Sequence, residues 1–364
     1  MTISMRITFV LPHFDQRVSG GYRMVFEYAN RLAARGHVVT IIMFAPGLRS
    51  RGGRRYASPN ALREIAKRWW YRGRIPWMRL DERVDVIIRF RDDPALAPTG
   101  DVIIATAWLT ARYVRDAPLR SGSKAYFIQH YEIWDGPRAD VDETWRFPLE
   151  KIVIARWLGD LARSLDPGSV ARYVPNAIDH SVFRVVVPSA VRAGDHVGML
   201  WHPNPSKGAL DGLRALSSVH AADPGVRVTL FGHPARPSEI PSWIDYRERL
   251  TGEDLVDYYN SLDVFLHTST SEGWGLTPAE AMACGVAVVA TDNPGVLDYA
   301  VAGETAVVVP RGDAFQMAQG IIDLLGDTQR RLTLAAAGRS MIEQFNWSRA
   351  TESFERALSE ICGG

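Results

Sequence analysis

Cysteine is nearly missing from this chain: two residues among 364, Cys284 in an apolar stretch and Cys362 close to the C-terminal end. Two such thiols make no disulfide framework and fit a reducing compartment. A charge imbalance is missing too. The 42 basic residues face 41 acidic ones, so the formal net charge is +1 and no overall field argues for nucleic acid as a partner. No uninterrupted apolar run reaches the roughly 20 residues of a membrane-spanning helix. Met1–Arg6 lacks the apolar core of a secretory signal and runs directly into a short strand, so a cytoplasmic location is expected. Walker-type phosphate loops, C-x-x-C pairs and H-E-x-x-H are absent, and no short repeat or low-complexity tract occurs.

What is present is ordinary globular composition, 46% apolar and 23% charged, in a chain long enough for two cores. Short apolar runs suited to buried parallel strands recur at Arg6–Leu11, Val38–Phe44, Val84–Phe90, Asp101–Ala105, Lys124–Gln129 and Lys151–Ala155. Helical patterns lie between several of them, which is the opening of a doubly wound α/β sheet. The first turn carries Gly20-Gly21 without a dinucleotide fingerprint. These glycines either serve the turn alone or let a ligand approach the backbone. After an irregular stretch, Val185–Gly194, a second half begins with strands at Val197–Trp201, Val226–Phe231, Asp263–His267 and Val286–Ala290. Three segments are expected: an N-terminal domain at 1–184, a C-terminal domain at 185–345, and a helix at 346–364 packing back on the first domain.

The most informative stretch is Ser271–Gly285, S-E-G-W-G-L-T-P-A-E-A-M-A-C-G. It joins two apolar strands through a glycine-bracketed loop and a helix. Thr277 is expected as N-cap, Pro278 as first helical residue and Gly285 as terminator. Thr277 and Glu280 have the spacing of a capping box, which alone explains the glutamate structurally. Loop amides and the helix dipole would favour an anion, while Glu272 and Glu280 would accept hydrogen bonds from hydroxyls. A ligand bearing both phosphate and sugar satisfies both demands.

The whole string, with its two glutamates eight positions apart, resembles the donor-site motif of retaining glycosyltransferase family 4. Arg172–Asp179, with V-P-N-A-I-D, resembles the family's segment before its interdomain crossing, Ala177 replacing a glycine. The resemblance implies a GT-B fold, two Rossmann-like parallel-sheet domains facing across a cleft. It also implies a bacterial enzyme that moves a sugar from a nucleoside diphosphate to a glycan, lipid-linked or small-molecule acceptor, without metal or cofactor. Among donors, a rhamnosyl nucleotide is one candidate.

By that resemblance Lys207 would stabilise the departing diphosphate, and the Gly20 and Gly21 amides would approach it. Glu272, Gly273, Trp274, Gly275 and Leu276 would hold the donor sugar, and Glu280 the ribose. His130, at the end of a strand, would orient the sugar; a structural role is the alternative. His202 stands where the family has an arginine, implying either a different donor nucleotide or a histidine acting protonated. That departure keeps two other readings open: a non-catalytic nucleotide-sugar-binding subunit, and a sugar-nucleotide epimerase on the same fold.

Two further stretches invite chemistry. Arg49–Trp77 is strongly basic with tryptophans, and a helix from Ser58-Pro59 would either lie on an anionic membrane surface or form a solvated face. Asp140-Val141-Asp142 looks like a metal-binding D-x-D, but its place after Asp135–Ala139 reads as a solvated loop.

Overall fold

The computed structural model describes residues 4–13, 20–44, 75 and 77–363, together with the backbone of 48–51 and 54–57. The chain forms two compact units, one from Met1–Pro175 with Ala350–Gly364, the other from Asn176–Arg349.

The first unit is built on a seven-stranded parallel sheet. In chain order its strands are β1 (Arg6–Leu11), β2 (Val38–Phe44), β5 (Val84–Arg89), β6 (Val102–Ala105), β7 (Ser123–Ile128), β8 (Glu150–Val153) and β9 (Ala171–Tyr173), arranged β5-β2-β1-β6-β7-β8-β9. A separate antiparallel hairpin joins β3 (Leu48–Arg51) to β4 (Arg54–Ala57). The central strands are apolar on both faces because helices cover both. Phe9, Val10, Ile41, Ile42, Ile103 and Ile104 are fully buried. The helices are α1 (Gly20–Ala34), α2 (Trp108–Asp116), α3 (Arg138–Trp145) and α4 (Arg156–Leu165).

Asp140 and Asp142 lie on α3, not in the solvated loop expected of them. Val141 and Trp145 are buried on that helix, and its core side draws the segment into regular structure. Asp142 accepts from the Tyr131 hydroxyl at 2.5 Å and pairs with Arg138.

The C-terminal helix, Trp347–Gly363, completes this unit from Ala350 onward. Phe354 is fully buried, its ring 4.4 Å from Tyr28, 5.3 Å from Phe127 and 6.0 Å from Phe9. One residue on, Glu355 pairs with Arg35 at 2.9 Å and with His37 Nε2 at 2.9 Å. His37 Nδ1 accepts the Met5 N–H, so its Nε2 is the atom that donates to Glu355. A buried carboxylate is tolerable here because both oxygens are engaged.

The second unit carries six parallel strands, β10 (His196–Trp201), β11 (Arg227–Gly232), β12 (Asp245–Glu248), β13 (Val264–His267), β14 (Ala287–Thr291) and β15 (Val307–Val309). Their order is β12-β11-β10-β13-β14-β15. Around them run α5 (Ala209–Ala222), α6 (Glu253–Ser261), α7 (Leu276–Ala283), α8 (Ala314–Gly326) and α9 (Thr328–Ile342). Val197, Met199, Leu230, Leu266, Val289 and Ile321 are at the heart of its core.

This unit begins earlier than residue 185. Ile178 donates its N–H to Phe345 O at 2.9 Å, and the Val186 and Val187 amides donate to Asn260 Oδ1 at 2.7 and 3.0 Å. The backbone is therefore already committed to the second unit before the proline- and glycine-marked stretch. Among the described residues no helix is long and apolar enough to cross a membrane. The helix expected from Ser58 falls outside the described residues.

The helix-to-sheet anchor gives a direct stability test. Phe354→Ala removes a fully buried ring and should cost about 3–5 kcal/mol in chemical denaturation. A loss below about 1 kcal/mol would show that the C-terminal helix does not hold the first unit together.

Candidate functional site

In an open parallel sheet, ligands gather at the carboxyl ends of the strands. In the second unit, the loops leaving β10, β13 and β14 meet there. The β10 loop closes with a short 3-10 turn, Pro205–Lys207, whose cap Asn204 accepts from the Ser206 N–H at 3.0 Å. It then passes through Gly208 at φ +62°. A side chain at Gly208 would collide with the Thr268 carbonyl, so close approach as well as backbone angle demands glycine. The β13 loop is tied across it. Thr268 Oγ1 donates to Lys207 O at 2.6 Å, and Thr270 N–H donates to Ser206 O at 2.7 Å.

These ties bring Lys207 Nζ to 2.7 Å from Glu272 Oε1, which also accepts from Ser269 Oγ at 2.7 Å. The side chains are 26% and 13% exposed, enough for a ligand to reach the pair. Burial alone would raise the Glu272 carboxyl. The Lys207 charge, His267 and the two side-chain hydrogen bonds outweigh it and hold the group below the usual carboxylate range. Gly295, at the end of the β14 loop, packs on the Glu272 backbone so closely that a Cβ could not fit.

His202 is part of this group and is neutral in character. Its Nδ1 accepts the Asn204 N–H at 3.0 Å, leaving Nε2 to carry the proton. Burial and the nearby Lys207 both push its pKa down. A protonated His202 substituting for arginine therefore runs against both the hydrogen bond and the local field.

The helix after the loop starts earlier than the sequence suggests. Its N-cap is Gly275 at φ +83°, and α7 begins at Leu276, placing Thr277 and Pro278 inside the first turn. Neither Thr277 as N-cap nor a Thr277–Glu280 capping box describes this terminus. The residues that can turn through positive φ set the start, and only glycine does so freely here. The other end is as expected. Gly285 at φ +74° follows the Cys284 cap, with Gly285 N–H bonded to Met282 O and Val286 N–H to Ala281 O, a Schellman closure.

Glu280 is buried and accepts from the Tyr259 hydroxyl at 3.2 Å. Trp274 is not a surface for ligand in this structure. Its ring is 1% exposed, packed 4.8 Å from Tyr299 and 5.3 Å from Phe345. Tyr299 in turn donates to Gly275 O at 2.5 Å, so the aromatic cluster braces the loop from beneath. Gly273 and Gly275 are buried with it, and Leu276 is half-buried. Sequence reasoning also passed over Ser269 and His267. The latter sits at the end of β13, 3.9 Å from Glu272 Oε1, and only its place at the close of an apolar strand could have signalled it.

Within the first unit, Gly20 and Gly21 open α1, and a Cβ on Gly21 would lie 3.5 Å from the Gln129 amide. Gln129 precedes His130 at the carboxyl end of β7, so the glycines and the histidine belong to one neighbourhood. The His130 ring sits edge-on between Trp134 at 4.5 Å and Trp157 at 5.9 Å. Next along, Glu132 accepts the Trp108 N–H at the start of α2 at 2.8 Å, fastening the His130 loop to that helix. Burial, opposed by that hydrogen bond, pushes the Glu132 carboxyl up to about 7.

Two Rossmann-like units with such loops at their strand ends define the GT-B class of fold. The match to solved structures is in keeping: Anabaena HepE in complex with UDP and glucose aligns with TM-score 0.73 at 16% identity, covering 98% of this chain and 100% of that one. Sucrose-phosphate synthase from Thermosynechococcus elongatus aligns at 0.72 and 18% identity, covering 98% of this chain and 99% of that one.

Residues 196–327 match the family model described as "Glycosyl transferases group 1". The Staphylococcus aureus capsular polysaccharide biosynthesis glycosyltransferase CapM is 32% identical over 115 residues, 30% of this chain and 30% of that protein. D-inositol 3-phosphate glycosyltransferase from Corynebacterium efficiens is 29% identical over 216 residues, 54% of this chain and 50% of that protein. The chain thus spans a third to a half of the length of these curated relatives. The matched segment is similar in sequence to these bacterial glycosyltransferases, the fold of the chain is that of the GT-B structures, and family 4 is consistent with the matches.

The Glu132 carboxyl yields a signed pH prediction. With its folded pKa raised from 4.5 to about 7, the folded state holds a proton that the unfolded state releases first. Stability from this group is therefore full below pH 4.5 and lost as pH rises through 7. Glu132→Gln, which keeps an acceptor for Trp108, should flatten that decline and raise stability at pH 8 by about 1–3 kcal/mol. Parallel native and variant denaturation curves across pH 4–8 would contradict it.

Proposed function

We propose that this chain is a retaining, metal-independent glycosyltransferase that uses a nucleoside-diphosphate sugar and needs no further cofactor. The single observation that carries the reading is the Lys207–Glu272 contact of 2.7 Å at the carboxyl ends of the central strands. It sets a cation suited to a diphosphate beside a carboxylate suited to sugar hydroxyls. UDP in the HepE structure supports a nucleotide-sugar donor, the capsular-polysaccharide name of CapM supports a glycan acceptor, and the inositol-phosphate name supports a small-molecule one.

The chemistry assigned to each residue follows from charge and placement. Leaving-group charge on the diphosphate is the largest demand of the transition state, and Lys207 meets it electrostatically. Glu272 and the amides of 273–275 fix the sugar. Glu280 takes a ribose hydroxyl, sharing its carboxylate with Tyr259. Neutral His202 contributes a hydrogen bond from Nε2 instead of a charge. In the first unit, His130 orients the sugar, held edge-on by two tryptophans, while the Gly20 and Gly21 amides serve the diphosphate. The acceptor hydroxyl attacks on the face the diphosphate leaves, and a donor phosphate oxygen takes its proton. No protein nucleophile is required. The work is placed in bacterial polysaccharide or glycoconjugate assembly at the cytoplasmic side, with the basic Arg49–Trp77 segment touching anionic lipid.

The test is purified protein with a panel of sugar nucleotides, read as transfer or as slow donor hydrolysis. Lys207→Ala should reduce turnover by about two decades with the fold intact by circular dichroism. Unchanged turnover would place the diphosphate elsewhere.

A further inference from the structure

His267 has no role in the reading above, yet it is a buried imidazole beside the site. Its side chain is 4% exposed, and its Nε2 finds no hydrogen-bond partner. An orphaned buried nitrogen is uncommon and calls for a reason. It lies 3.9 Å from Glu272 Oε1, short of a hydrogen bond, on the atom that Lys207 and Ser269 already occupy. The charged groups facing it are Glu272 and Lys207, with His202 facing that same pair.

This arrangement is complete only while Lys207 stays on Glu272. A diphosphate that draws the ammonium toward itself would leave the carboxylate enclosed with a serine hydroxyl and no cation. Such an uncompensated charge is costly. We propose that His267 is the reserve partner of Glu272: when an anionic ligand takes Lys207, His267 accepts a proton from solvent and donates Nε2–H to the carboxylate. The inference rests on the proposed function for the identity of the anion, and makes nucleotide binding a proton-coupled event.

The local electrostatics agree with the direction. Burial, opposed by Glu272 and reinforced by Lys207, keeps the His267 pKa down at about 4. Removing the Lys207 charge leaves burial alone opposing the carboxylate, which shifts the balance toward the imidazolium. His267 would act as a positioning residue, since it reaches the ligand only through Glu272.

Two measurements test this. In Lys207→Met, which withdraws the ammonium without any ligand, the His267 ring resonances should titrate about two pH units higher than in the native protein. A midpoint that stays near the native one overturns the proposal. Should Lys207→Met fail to fold, the calorimetric arm decides alone. UDP binding is measured at about pH 5, between the two expected midpoints, in two buffers of different ionisation enthalpy, for native protein and His267→Gln. The native protein should take up close to one more proton per UDP than the variant. Binding with equal proton uptake overturns the proposal. If Lys207→Met moves the midpoint but UDP does not bind, the reserve-partner relation stands and the proposed function is what fails.

Discussion

A carboxylate set among strand ends and loop backbone is unstable unless a cation stands beside it, and the second unit is arranged around meeting that demand at Glu272. The Lys207 ammonium supplies the charge, but it can do so only because two loops are fixed to each other. Thr268 and Thr270 bond the backbone of 206 and 207. Gly208 turns back through a left-handed conformation against Thr268. The aromatic group of Trp274, Tyr299 and Phe345 then holds the following loop from below. Charge, hydrogen bonds and packing thus share one purpose: a partly buried edge of polar groups on a rigid base.

The parallel sheet explains why these parts can meet. Each strand of β10, β13 and β14 is short, apolar and buried on both faces, so the chain must leave it at the same end each time. Loops of different sequence are delivered side by side without needing any local affinity. The first unit repeats the arrangement with Gly21, Gln129 and His130. Its His130 loop is fastened to α2 by Glu132, a carboxyl group whose pKa burial raises to about 7.

Periodicity showed most of this architecture in the sequence. Apolar runs such as Arg6–Leu11 and Val38–Phe44 coincide with observed strands because burial on both faces leaves an uninterrupted signal. Where local chemistry competed with tertiary packing, the sequence was less clear. Thr277 has ideal capping chemistry, but Gly275 could adopt the positive φ that the loop geometry required, so the helix began there. Trp274 stood in a ligand-like string and proved to be core, because a loop rigid enough to hold its backbone needed a large side chain beneath it. The aspartates of 140 and 142 looked like loop residues until Val141 and Trp145 supplied a buried helical face. Pro188 and Gly194 marked a break in regular structure, whereas the unit boundary follows hydrogen bonds from Ile178 onward that no local pattern reveals. Ser269 and His267 were illegible for a similar reason: their importance lies in what Glu272 needs across a loop.

The C-terminal helix also sets an order of assembly. Residues of the second unit form one unbroken span, 176–349, whereas the first unit draws Phe354 and Glu355 from beyond it. On the ribosome, Tyr28, Phe127 and Phe9 are made early but lack their aromatic partner, which is encoded 227 residues after Phe127 and more than 300 after the other two. The later-encoded unit can therefore close first, while the earlier one waits with an uncovered apolar patch, the kind of nascent surface that chaperones hold.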